Sequence, residues 1–146
     1  METSSPLSSA QLTRVATDLR LACMRISRRV RFEASHDVAP HQFSALARLE
    51  DAPKTPGELA EIERVAKPSM SRTVAALVER GLVDRQSDPT DGRQVILSLT
   101  AEGRGSLKAI RRKRDAWMAS RVSRLSQEEQ DVLARATEIL TRVAGE

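Results

Sequence analysis

A chain of 146 residues with 40% apolar side chains can build one core or a small two-lobed body. Two Phe, one Trp and no Tyr offer too few stacking platforms for an RRM-like or OB-type reader of single strands, whereas duplex binding needs none. The net charge of +4 agrees with a polyanionic partner, and a lone Cys excludes an intramolecular disulfide or a cysteine metal cluster.

The opening METSSPLSS lacks the basic start and apolar run of an export signal, and no stretch approaches the ~20 apolar residues of a membrane span. The expectation is a cytoplasmic protein that makes no use of a membrane. Residues 1–7 read as a disordered arm, after which Ser8 and Gln11 form a capping box and open a long helix to about Phe32. Leu12, Val15, Ala16, Leu19, Cys23, Ile26 and Val30 follow one face of it, and Arg14, Arg20, Arg25, Arg28, Arg29 and Arg31 mostly occupy the others. Cys23 falls inside the apolar stripe, which predicts a buried, packed thiol rather than a redox switch.

His36 and His41 lie in the predicted loop HDVAPH with only Asp37 as a third donor, too few for zinc, so no metal or other cofactor is expected. Pro40 then starts a helix with Phe43, Leu46, Ala47 and Leu49 inward, ending near Asp51 and Pro53.

Thr55, Pro56 and Glu58 carry the next start signal, a capping box with Pro at the first helical position. The helix is short, because the pattern of Leu59 and Ile62 fades at Val65 and Ala66. A second helix begins at Lys67–Pro68 and stops at Gly81. Met70, Val74, Leu77 and Val78 make its core stripe, while Ser69, Arg72, Thr73 and Ala76 lie opposite as a face of small, hydrogen-bonding side chains with one cation. Short side chains let a helix backbone approach a groove, and an Arg there reaches guanine O6 and N7. The alternative is an ordinary solvated surface.

Leu82–Val83 and Val95–Leu99 read as two strands joined by Ser87–Arg93. Asp91–Gly92 is a turn signal that puts Arg93 just past the tip of a hairpin, where it can enter a minor groove or else pair with Asp88 or Asp91. Residues 54–100 hold seven cations and seven acids, so a DNA-reading role requires Lys67, Arg72, Arg80, Arg85 and Arg93 to be placed while the acids face elsewhere.

Beyond Leu99, Thr100 caps a helix from about Ala101 to Arg124 with Leu107, Ile110, Trp117, Met118, Val122 and Leu125 along its apolar trace. Its cationic run Lys108, Arg111, Arg112, Lys113, Arg114 reads as a solvated face, or as a flank for phosphates or an acidic ligand. Ser126 and Glu129 box a final helix striped by Val132, Leu133, Ala136, Ile139, Leu140 and Val143.

KPSMSRTVAALVERGLVDR followed by DPTDGRQVILSLTAEG resembles the winged-helix core of the MarR family of bacterial transcription regulators, and the flanking helices fit that family's layout across nearly the whole chain. The resemblance implies a mainly α protein: an N-terminal arm and dimerisation helix over 1–37, a winged helix-turn-helix with a two-stranded wing over 38–100, and C-terminal dimerisation helices over 101–146. It implies that the 67–80 helix enters the major groove, through Lys67, Pro68, Ser69, Ser71, Arg72 and Thr73. The wing of Asp91, Gly92 and Arg93 would send Arg93 into the adjacent minor groove with Asp91 orienting it. Ala66 and Gly92 stand where the family often has a helix-capping Ser and a second wing Arg.

The apolar stripes of the first helix and the last two need a partner, so Leu12, Val15, Leu19, Trp117, Val122, Leu125, Leu133, Ile139, Leu140 and Val143 are expected at a two-fold homodimer interface. Such a dimer sets two recognition helices roughly 34 Å apart and predicts a pseudo-palindromic operator. The favoured function is a repressor released by a small, often anionic aromatic effector. The candidate pocket is Arg31, Phe32, His36, His41 and Phe43, chosen by position alone. The competing reading is an architectural or protein-docking winged helix without a ligand. No phosphate loop, nucleophile elbow or metal cluster is visible, so catalysis is not expected.

Overall fold

The computed structural model describes residues 5–145. Six helices and one hairpin follow in the order α1 (Ser9–Glu33), α2 (Pro40–Arg48), α3 (Pro56–Glu63), α4 (Lys67–Glu79), β1 (Val83–Ser87), β2 (Val95–Leu99), α5 (Ala101–Val122) and α6 (Gln127–Gly145). The predicted residues 1–4 of the arm lie outside the described residues.

The capping signals act as read. Ser8 Oγ accepts from the Gln11 amide and Gln11 Oε1 from that of Ser8, and the same reciprocal bonds join Thr55 with Glu58 and Ser126 with Glu129. At α4 the N-cap Ala66 makes no side-chain bond, which forfeits about 1 kcal/mol relative to a Ser.

α2, α3 and α4 pack with β1, β2 and the first half of α5 around one core. Its fully enclosed side chains are Leu46, Leu59, Leu77, Leu97 and Leu107. The Met70–Val74–Leu77 stripe faces this core, with Val78 packed at its edge. The wing is antiparallel, pairing Val83 with Leu99 through Ser87 with Val95. Two features go beyond the sequence reading. β1 runs on to Ser87 instead of ending at Val83, and Lys54 adds an isolated bridge to Leu97, its amide donating to Leu97 O at 3.1 Å.

Gly81 takes φ +72° and lets the chain leave α4 for β1. Gly103 is needed for another reason: a Cβ there would sit 2.2 Å from Leu82 O, so α5 lies directly against the start of the hairpin. Thr100 fixes the same corner, its Oγ1 donating to Gly81 O at 2.7 Å and accepting from Gly103 N at 3.0 Å.

α1 and α6 bury no residue. Leu12, Val15, Leu19, Leu133, Ile139 and Val143 stand exposed on them, Val143 at 61%, while Leu140, the α5 residues Trp117 and Val122, and Leu125 in the turn after α5 are half-buried. Cys23 is exposed in the single chain, not buried as its place in the stripe suggested, and no residue of α1 is buried.

Candidate nucleic-acid interface

On α4, Lys67, Pro68, Ser71 and Arg72 stand open on one face, joined by Ala75 and Glu79. Ser69 and Thr73, expected on that face, are half-buried instead, and Thr73 Oγ1 is spent on Ser69 O at 3.1 Å. They line a concavity of ≈ 390 Å³ with His41, Gln42, Glu63, Val65, Met70 and Arg72. Ala76 is half-buried too, so of the face that the wheel assigned to small donors only Arg72 is open, and Ser69 and Thr73 look toward α2.

The wing tip is built by its acids. Asp88 accepts from the Thr90 amide at 2.9 Å and from Thr90 Oγ1 at 2.8 Å, bonds that hold its carboxyl below the ordinary range, the amide most strongly. Asp91 Oδ1 accepts from the Arg93 amide at 3.1 Å. Asp91 thus orients the backbone of Arg93 and leaves its guanidinium free. Gly92 does not have positive φ, contrary to the turn-signal argument, because these side-chain bonds shape the tip without a left-handed residue.

Five of the seven acids of this lobe are engaged, while Glu61 and Glu79 are exposed and make no side-chain hydrogen bond or ion pair among the described residues. Glu58 caps α3, Glu63 accepts from Ser44 Oγ and Arg48 Nε at 2.8 Å each, and Asp84 accepts from the Arg85 amide and Gln86 Nε2. Asp88 and Asp91 are spent in the wing. By contrast Lys67, Arg72, Arg80, Arg85 and Arg93 are exposed, and none forms an ion pair among the described residues. Arg80 alone is drawn toward an acid, helping to depress Asp37.

The cationic run of α5 behaves differently. Arg111 grips Glu50 bidentately at 2.7 and 2.9 Å, Arg104 Nη1 donates to Glu50 O, and Lys113 binds Asp37. Arg114 is stacked 3.9 Å from the centre of the Phe43 ring. Only Lys108 and Arg112 of that run stay open and unpaired among the described residues.

The five pocket candidates do not converge. Arg31 and Phe43 meet in a cleft of ≈ 440 Å³ whose other walls include Ser44, Arg48, Lys54 and Arg114. Phe32 faces away along α1 under Arg28, and His41 lines the concavity beside α4. His41 also belongs to the first turn of α2 and not to a loop, while His36 is exposed before it. Arg114 Nε is buried without a hydrogen-bond partner. Burial first, then the charges of Arg31 and Arg111, push its pKa down. The sequence puts Arg114 in a cationic run that could take an acidic ligand, but its place in this cleft, and those of Arg48 and Lys54, escape sequence reasoning because no periodicity links residues 31, 48, 54 and 114. Among the described residues no group of His, Cys, Asp and Glu could hold a metal.

Residues 36–94 match the sequence model of the MarR family. An uncharacterized HTH-type transcriptional regulator of Mycobacterium bovis is 44% identical over 135 residues, which cover 91% of this chain and 94% of the relative. The chain belongs to the MarR family. It is thus a transcriptional regulator with a DNA-binding helix-turn-helix, α3–turn–α4, and not an enzyme. The MarR fold extends over the helices outside the matched region. A candidate transcriptional regulator from Pseudomonas aeruginosa PA01 superposes with a TM-score of 0.78 at 31% identity over 94% of this chain and 98% of that one. A variant of S. aureus MepR bound to an oligodeoxyribonucleotide shares the fold, with a TM-score of 0.66 at 22% identity over 88% of this chain and 97% of that one. No described helix is long and apolar enough to cross a membrane.

Proposed function

We propose that this MarR protein is a homodimeric, cytoplasmic repressor that binds a pseudo-palindromic duplex operator and leaves it when a small anionic aromatic effector binds. The observation that carries the reading is the placement of charge in the winged lobe: Lys67, Arg72, Arg85 and Arg93 stand open on α4 and the wing without an ion pair among the described residues, while Glu58, Glu63, Asp84, Asp88 and Asp91 are held in hydrogen bonds. Duplex affinity comes from cations placed against phosphates, and Arg72, Ser71 and Lys67 at the start of α4 suit base edges in a major groove.

The dimer rests on the uncovered stripes of α1 and α6, together with Val122 and Leu125. Packed on a second copy they form one two-fold interface, an arrangement no single chain can make. The effector reading rests on the Arg31–Phe43–Arg114 cleft, where an apolar ring lies beside two guanidiniums that form no ion pair among the described residues. Asp51 also lines the cleft, outnumbered there by Arg31, Arg48, Lys54 and Arg114. An aromatic carboxylate would stack on Phe43 and supply the missing acceptor. It would release DNA only through unequal affinity for the two arrangements of the lobes.

The test is selection of bound fragments from genomic DNA, followed by a screen of small aromatic acids against the best fragment. Preference for that fragment over mixed sequence, and release by at least one acid in wild type but not in Arg114→Met, are expected. Equal competition by mixed-sequence DNA with no release would favour an architectural winged helix instead.

A further inference from the structure

α3 closes in a left-handed turn that glycine commonly fills, and here an arginine fills it. Arg64 has φ 53° and ψ 46°, the one non-glycine residue with positive φ among the described residues. Its amide donates to Glu61 O at 3.2 Å and the Val65 amide to Ala60 O at 3.0 Å, the paired main-chain bonds of a Schellman ending. The turn therefore dictates the backbone, and any residue with a Cβ is strained in it while glycine is not. Strain of this kind persists at positions where the side chain has a task that glycine cannot perform.

Nothing inside the chain supplies that task. Arg64 is exposed and makes no ion pair or side-chain hydrogen bond among the described residues, and Glu63 beside it is already held by Arg48 and Ser44. The helix ending is closed by main-chain groups alone. Only Val65 and Ala66 separate Arg64 from Lys67, the first open position of α4. Ala66 itself offers no side-chain donor to a phosphate at this turn.

We propose that Arg64 is a sequence-independent DNA contact, its guanidinium taking a backbone phosphate beside the groove that α4 enters. This rests on the reading of α4 as the groove-entering helix. A charge-assisted contact with a phosphate needs a cation, tolerates any base sequence and is absent from the free protein.

Arg64→Gly separates the two roles by sign. Relief of strain raises Tm, by roughly 3 °C at fixed protein concentration. Loss of the phosphate weakens binding to the best genomic fragment and to a mixed-sequence duplex by the same factor, about 3- to 10-fold, and lowers the log–log salt slope by about 0.9. Arg64→Lys keeps the slope, and Arg64→Asn, which tolerates the left-handed turn, loses it. Unchanged affinity and slope in Arg64→Gly would overturn the proposal, as would a fall in Tm, which would assign the guanidinium to the fold. Arg72→Ala serves as the control: if it loses affinity and Arg64→Gly does not, only the Arg64 assignment fails. If wild type binds no duplex, the reading of α4 fails with it.

Discussion

Two arginine-rich parts of this molecule meet opposite fates. Residues 101–146 hold ten cations against seven acids, a larger excess than the seven and seven of residues 54–100. On α5, however, Arg111 and Lys113 are pinned to Glu50 and Asp37 at the two ends of α2, Arg114 is laid on Phe43, and Lys108 and Arg112 alone of the run stay open, whereas Lys67, Arg72, Arg80, Arg85 and Arg93 of the balanced segment are all exposed without an ion pair among the described residues. Charge counts alone would have sent DNA to α5. The open cations of α4 and the wing are the ground on which we propose DNA contact there.

Substitutions on each side can break this contrast. The largest effect on duplex binding is expected from Arg72→Ala, a loss of about 1–3 kcal/mol with relaxed discrimination at a few base pairs and an unchanged Tm. Equal losses on specific and random duplexes would remove its base-reading role. Arg93→Ala should act less strongly and more uniformly, flattening the log–log salt dependence by about 0.9 if one phosphate contact is lost. An unchanged slope would leave the wing a contact of shape only.

On the α5 side the signs reverse. Arg111→Ala should lower Tm by about 2 °C or less, since its ion pair is largely exposed, and leave duplex affinity within about twofold. A DNA defect as large as that of Arg72→Ala would mean that the clasp, or α5 itself, takes part in binding. The smallest effect is expected from Arg112→Ala, open and unpaired but away from α4 and the wing, with neither Tm nor affinity moved.

Acid sharpens the same contrast. Hydrogen bonds from Arg111 and Lys113 hold Glu50 and Asp37 below the ordinary carboxylate range. A depressed folded-state pKa contributes stability that is fully present above the unfolded value and is lost as pH falls through the folded value. Thermal stability should thus be level from neutral pH to about 5 and decline below about 4. In Glu50→Gln the decline should be shallower, because one of the titrating groups is gone. An identical acid profile for the variant would remove Glu50 from the account.

What was legible in the sequence was local. Ser8–Gln11, Thr55–Glu58 and Ser126–Glu129 announce helix starts because both partners lie within one turn, and Met70, Val74 and Leu77 reveal a buried face by their spacing alone. The features that escaped join distant residues. Arg111 finds Glu50 across 61 positions and Lys113 finds Asp37 across 76, and no periodicity marks such pairs. An apolar stripe can also mislead, since Cys23 lies in one yet is exposed. Arg64 was invisible for a third reason, since a left-handed arginine breaks the residue preference by which such turns are recognised. Ser69 and Thr73 were placed on the open face by a wheel that took no account of α2 beside them.

The account turns on two copies of α4 held against one duplex face, and sedimentation of the full chain with the best genomic fragment tests it most directly. It predicts a free protein of twice the 16.1 kDa chain mass, two chains bound per duplex site, and no displacement by either single strand. A stable monomer that binds one per duplex, or prefers the single strand, would contradict it.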